Sequence, residues 1–265
     1  MIRAATLPGG SNNQDRYVTG DGFAAVLDGA TSFAGDRSHD PGWYAEQLAH
    51  AIGEAMPLRR PLADTVGEAI RTVRDAHGLT PATTPTSTVA LARWSDSVVE
   101  TYVLGDSYAV VLHTDGTEAV HTDDRLDGVA VNERAAYRRG LADGNGYDNG
   151  HRALLLELQA EQARNCNRPG GYWIAGADPD AAEHGFTTTE KRASVAALLL
   201  ASDGVEVGRH PAAKTWRDLY LEASKYGASQ MLQRIHDAEV SDPAGQRWPR
   251  SKQHDDKTFL AVTLH

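Results

Sequence analysis

The sequence holds a single cysteine, Cys166, so no disulfide can form within the chain, and the composition suits a reducing compartment such as the cytoplasm. A long apolar run is missing as well. The longest, VAALLLA at 195–201, falls far short of the ~20 residues that a membrane-spanning helix needs. The opening MIRAATLPGG lacks the apolar core of a signal peptide. Excess positive charge is absent too: 26 Lys and Arg stand against 36 Asp and Glu, a net charge of −10. That balance argues against nucleic acid or an anionic membrane surface as the main partner. Chemistry on phosphate by so acidic a protein requires added cations. No internal repeat, low-complexity tract or linker divides the 265 residues, so one domain over 1–265 is expected.

What the chain does contain is a change of hydrophobic period along its length. DRYVTGDGFAAVLD at 15–28 predicts two strands, the second apolar enough to be covered on both faces. Tyr44, Leu48, Ile52 and Met56 then recur every four residues, and Leu62, Val66, Ala69, Ile70 and Val73 form a second stripe. Both stripes predict helices that turn an apolar face to a core. Over 86–121, STVALARW, VVETYVLG, YAVVLHT and TEAVHT are separated by tight turns and predict an antiparallel meander. Residues 125–191 are richer in Asn, Gly and Arg, with helices expected at NERAAYRRGLA and HRALLLELQAEQAR. They predict a flap-like insertion over the sheet edge. Beyond it come a buried strand in ASVAALLLASDG, helices around AAKTWRDLYLEA and GASQMLQRIHDAEV, and a last strand in DDKTFLAVTLH. Two helical layers around antiparallel sheets are the expected architecture.

Four carboxylates border these strands. Asp15 precedes RYV, Asp28 follows AAVL, Asp203 follows LLLAS and Asp255 precedes KTFLAV. Asp28-Gly29 by itself reads as a plain turn, since Gly tolerates positive φ and Asp bonds its own backbone. If the four strands are neighbours, the carboxylates cluster, and their repulsion raises their pKa values or recruits cations. An all-oxygen site suits Mg²⁺ or Mn²⁺. Two ions sharing one bridging Asp can activate a water between them. Zinc is disfavoured, because one cysteine and unspaced histidines supply no ligand set.

The ordered set NNQDRYV, AAVLDGATS, TSTVALA, YVLGDSYAVVL, LLLASDGV and DDKTFLAV resembles the metal-dependent protein phosphatases, the PPM or type 2C serine/threonine phosphatase family. The likeness runs from about residue 12 to the C-terminus, with 125–191 matching poorly. The resemblance implies an α+β fold, a four-layer α/β/β/α sandwich of two antiparallel sheets flanked by helices. It implies at least two Mg²⁺ or Mn²⁺ ions, with Asp28 bridging them and the Gly29 carbonyl binding one. Asp203 and Asp255 would hold the other, making Asp28, Asp203 and Asp255 the catalytic set. Asp15 would support the metal-bound waters, Asn13 would fix its loop and Gln14 would hydrogen-bond a water. Asp124, with Asp203, would hold a third ion. The implied reaction is direct attack of a metal-bridging hydroxide on a phosphoserine or phosphothreonine monoester of a protein substrate. Asp106 in GDS is expected to shape a hairpin turn, and Asp256 either assists its neighbour or faces solvent.

The sequence departs from the family in three places. Gly10 stands where many members carry a phosphate-gripping Arg, Gln14 where a Glu is usual and Arg125 where His is common. Losing a bidentate Arg removes both charge and geometry, leaving the phosphate to the metals and to another cation such as Arg3, Arg16 or Arg37. Those losses keep alternatives open: a weak or inactive pseudophosphatase serving as a regulatory binding module, or a metal phosphodiesterase. Against the first stands the retained carboxylate set, since buried unpaired carboxylates cost several kcal/mol each. His254 beside Asp255 is a candidate proton shuttle. NRPGGYWIAGADP at 167–179 is either a substrate-docking surface or a packed loop.

Overall fold

The structure is a computed structural model that describes residues 1–30, 39–81 and 84–264. In chain order its elements are β1 (Ile2–Leu7), β2 (Asp15–Gly20), β3 (Phe23–Ala30), α1 (Pro41–Ala55), α2 (Leu62–His77), β4 (Thr86–Ser87), β5 (Val89–Trp94), β6 (Val98–Leu104), β7 (Tyr108–His113), β8 (Glu118–His121), α3 (Val131–Ala142), α4 (Asn149–Asn165), β9 (Phe186–Lys191), β10 (Val195–Ala201), α5 (Trp216–Tyr226), α6 (Ala228–Val240) and β11 (Lys257–Thr263). One sheet has the order β1-β11-β10-β7-β8, the other β2-β3-β5-β6-β9 with β4 added beside β3. Every pairing within them is antiparallel.

Successive strand side chains point to opposite faces, and this parity sorts each strand between two cores. Phe23, Ala25 and Leu27 of β3 pack with α1 and α2, beside Tyr44, Leu48, Ile52, Val66 and Ile70. On the second sheet Leu199 and Ala201 of β10, with Phe259 and Ala261 of β11, pack on Leu219, Leu232 and Ile235 of α5 and α6. The intervening residues meet between the sheets: Ala24, Val26, Ala90, Ala92 and Val103 against Ala109, Val111, Leu198, Leu200, Leu260 and Val262. The four layers are therefore α/β/β/α, the α+β sandwich that the sequence predicts. Side chains cap the starts of α1 and α5. Asp40 caps α1 by accepting from the Gly42 N–H at 2.8 Å, with Pro41 opening the first turn, and Thr215 with Asp218 forms a reciprocal capping box on α5.

The fold departs from the expected plan in three respects. Strand β1 had no clear signature, and forms because the distant β11 pairs with it from Ile2↔Val262 to Leu7↔Lys257. The 86–121 meander is split: β5 pairs with β6 and β7 with β8, yet β6 and β7 belong to different sheets. Gly105, at φ +83°, turns the chain across. The region expected as an insertion contains α3 and α4, which share a small cluster of Tyr137, Leu141 and Leu158, but its end rejoins the sheet as β9, paired with β6. Residues 167–179 are a packed loop, with Ala175 and Ala177 in the helix-side core and Ala175 exchanging backbone hydrogen bonds with Ser87 at 2.9 and 3.1 Å. No helix among the described residues is long and apolar enough to cross a membrane.

If the layer between the sheets carries the stability, Leu200→Ala, at a position with no exposure, lowers unfolding free energy by about 2–5 kcal/mol. Leu156→Ala on the exposed side of α4 stays within about 0.5 kcal/mol. Urea denaturation of the two variants measures the contrast, and equal losses would contradict it.

Candidate metal centre

At one end of the sandwich the layer between the sheets changes from apolar to polar without changing parity. Asp28 follows Val26 on β3 by two residues, Thr88 precedes Ala90, Ser107 precedes Ala109, Ser202 follows Leu200 and Thr258 precedes Leu260. By strand alternation each of these points between the sheets. Asp15 sits opposite Asp28 in the β2–β3 register and so joins the same face. The hydroxyls cross-brace the layer: Thr88 Oγ1 and Ser107 Oγ lie 2.5 Å apart, and Ser202 Oγ donates to Asp15 Oδ2 at 2.7 Å while accepting from the Thr258 N–H at 2.9 Å. Asp28-Gly29 is not a turn. The strand continues through both residues and pairs Gly29 with Ser87 of β4. Gly29 is required by packing, since a Cβ there would lie 2.8 Å from the Pro41 carbonyl oxygen and 2.9 Å from that of Gln14.

Loops bring the remaining carboxylates to this end. Asp203 leaves β10 in a tight turn where Gly204 lies against the Asp256 carbonyl, a Cβ being 1.9 Å from its oxygen. Asp255 arrives just before β11. Asp28, Gly29, Asp106, Asp203 and Asp255 line one cavity of 310 Å³, walled on the far side by Leu155 and Leu158 of α4 and by Tyr172 and Ile174. Asn13 shapes the approach to β2: its Oδ1 accepts from the Asp15 N–H at 2.9 Å and its Nδ2 donates to Thr6 Oγ1 at 2.7 Å. Gln14 contributes backbone, its carbonyl accepting from Gly29 N–H at 3.2 Å. Asp124 is exposed on a short 3₁₀ turn at the rim of a second cleft that also includes Asp106, Asp203 and Asp255. Its neighbour Asp123 is the buried one, held by the Arg125 guanidinium through hydrogen bonds of 2.8 and 2.5 Å and by the Arg125 N–H at 3.1 Å.

Burial drives the electrostatics. It pushes the Asp15 carboxyl up to about 7, eased by Ser202 and Thr258 and reinforced by Asp203 and Asp256. Asp28 is raised by burial and then by the charges of Asp15, Asp203 and Asp255. Asp203 is raised by burial and by Asp255, with relief from Lys252 and from a hydrogen bond with Asp28. The groups fit a divalent cation: the donors are all oxygen, their charges repel, and the buried Asp15 Oδ1 has no hydrogen-bond partner. The trio of described His, Cys, Asp and Glu side chains whose ligand atoms all lie within 4.8 Å is a different one, His236, Glu239 and His254. Glu239 is already engaged there by Arg209 at 2.6 Å and Lys257 at 2.7 Å. Two fixed cations stand where a metal ion would enter.

Three residues near the centre differ from expectation or were invisible to it. Asp106 is not in a hairpin. It lies on the crossing between sheets, lines the cavity, and is pushed up to about 7 by burial and by Asp203. Asp256 does not face solvent, because its two oxygens accept from the Gly9 and Gln14 N–H groups at 2.7 Å each, clamping the loop before β2. Lys252, which no motif marks, donates to Asp255 Oδ1 at 2.6 Å. Among the expected cations, Arg16 bonds the carbonyls of Asn13 and Asp15, Arg3 reaches Thr263 at 3.4 Å and Arg37 lies outside the described residues. Gly10 is exposed, with nothing near the Cβ position. His254 faces Glu239, 3.4 Å away.

In chelator-treated protein the folded state holds the Asp15 proton to about pH 7 instead of 3.8. Stability from that proton is complete below about pH 4 and is lost as pH rises through 7. Thermal unfolding in EDTA is expected to show a falling melting temperature over that window, and Asp15→Asn to flatten the fall. An equal slope in wild type and variant would refute the assignment.

No protein-family model matches the sequence, and no curated protein does. Solved structures do. The PPM Ser-Thr phosphatase MsPP from Mycobacterium smegmatis, in complex with cacodylate, aligns with a TM-score of 0.55 at 18% identity, over 100% of this chain and 98% of that one. Serine/threonine phosphatase Stp1 from Staphylococcus aureus gives 0.55 at 13%, over 100% and 94%. The catalytic domain of PstP, in complex with two manganese ions, gives 0.54 at 13%, over 99% and 97%. At these identities the likeness settles the architecture: this chain has the fold of the PPM-type serine/threonine phosphatases.

Proposed function

We propose that this protein is a divergent metal-dependent phosphatase that hydrolyses phosphoserine or phosphothreonine monoesters of a protein substrate. The observation that carries the reading is the convergence of Asp15, Asp28, Asp203 and Asp255 at the polar end of the layer between the sheets. Asp28, Asp203, Asp255 and the Gly29 carbonyl would hold Mg²⁺ or Mn²⁺, with Asp15 behind them and Asp124 at the rim for a third ion. Divalent ions bound there would supply charge against the phosphoryl oxygens and acidify a water. The chain's own residues do the rest. Ser202 donates to Asp15, Thr88 accepts from the Asp28 N–H and pairs with Ser107, and Leu155, Leu158 and Ile174 give the 310 Å³ cavity an apolar wall. The regulatory-module alternative draws on Gly10, which offers the phosphate no side chain.

The test is hydrolysis of p-nitrophenyl phosphate by the purified protein with Mn²⁺, Mg²⁺ or EDTA, beside bis(p-nitrophenyl) phosphate. Monoester turnover that needs the metal is expected, with Asp28→Asn and Asp203→Asn each reducing kcat about 100-fold or more. Preference for the diester would favour the phosphodiesterase reading. No turnover from folded protein with any metal would leave the regulatory module.

A second readout is stability. Mn²⁺ at ~100 times its dissociation constant is expected to add about 2.7 kcal/mol per site, measured by denaturation with and without EDTA. An unchanged melting temperature would count against the centre.

A further inference from the structure

The loop before β11 brings a cation into the centre that the phosphatase reading does not use. Lys252 Nζ donates to Asp255 Oδ1 at 2.6 Å, while its side chain is 56% exposed. Lys252 lines both clefts that meet at the carboxylates, together with Asp203 and Asp255. Its charge acts on more than its partner: Asp28 and Asp203 also feel the ammonium, and both hold its proton more firmly in return.

The loop that carries Lys252 is anchored. Arg250 donates to Asp242 Oδ2 and to the carbonyls of Glu239 and Gln253 at 2.9–3.1 Å. The Asp255 carbonyl is held by Lys257 Nζ at 2.7 Å. The Lys252 ammonium is tethered to Asp255, three residues further along this loop. An ammonium is a compact point charge with three donors, so it can neutralise part of the cluster as a small cation does. It occupies Asp255 Oδ1, which also accepts the Asp256 N–H at 3.0 Å, and two cations at one carboxylate repel each other.

We propose that Lys252 is a tethered counter-ion of the carboxylate cluster that competes with the divalent ion for Asp255. This rests on the reading of the cluster as a metal centre. Ion binding has to free Asp255 from the ammonium, so the chain's metal affinity is lower than its ligands alone would give. Without an ion, Lys252 offsets repulsion that would otherwise weaken the fold.

The test is calorimetric titration of the EDTA-treated, dialysed protein with Mn²⁺, using wild type, Lys252→Met, Lys252→Gln and Lys252→Arg. Removing the charge in Met and Gln is expected to tighten Mn²⁺ binding about 10-fold or more, as a neighbouring unit charge does, while Arg stays near wild type. In EDTA the two neutral variants melt below wild type, and with saturating Mn²⁺ the gap closes. If Lys252→Met does not fold in EDTA, Lys252→Gln, which keeps a hydrogen-bond donor, carries the comparison. Equal or weaker Mn²⁺ affinity in the neutral variants would overturn the proposal and leave the metal centre standing. No Mn²⁺ binding by any of the proteins would overturn both.

Discussion

The structure depends on one property of its strands, the alternation that sends every second residue between the two sheets. Over most of the layer those residues are small or branched, with Ala24, Ala90, Ala92 and Ala109 letting the sheets approach and Leu198, Leu200 and Leu260 filling the space. At one end the same parity delivers Asp28, Thr88, Ser107, Ser202 and Thr258. The site is thus the continuation of the core in a different chemistry, and its geometry is inherited from strand register. A slip of one residue in β3 would send Asp28 to the helix side and Leu27 into the cluster.

Such a site is expensive in isolation, because buried carboxylates repel and lose hydration. The chain responds with the Ser202 hydroxyl, which donates to Asp15, and with clamps on the adjoining loops. Asp256 is a clear instance, since it spends both oxygens on backbone N–H groups of the loop that leads to Asp15. Glu239 plays a similar part below, where Arg209 and Lys257 bond it and Lys257 also fixes the Asp255 carbonyl. Part of the charge that remains is met by the Lys252 ammonium at Asp255.

Asp106 and Asp256 show where local sequence pattern misleads. GDS between two apolar runs has every feature of a hairpin, but hairpin geometry presumes that the flanking strands pair. Here they enter opposite sheets, and the turn residue becomes a cavity residue. Asp256 stays open in the sequence because its partners are the N–H groups of Gly9 and Gln14, which lie 247 and 242 residues away. Strand β1 escaped notice for the same reason, its definition coming from β11 at the far end of the chain.

The sequence by itself determined the element types, because the stripes in α1 and α2 and the apolar runs in β3, β10 and β11 are local periodicities. It also placed Asp15, Asp28, Asp203 and Asp255 at strand borders. Only the tertiary structure decided that Asp106 lines the cavity with them, that Asp124 is exposed while Asp123 is buried against Arg125, and that Lys252 lies among the carboxylates. Those outcomes depend on which strands become neighbours and which loops meet at their ends. Such contacts join residues far apart in the chain, and no local period records them.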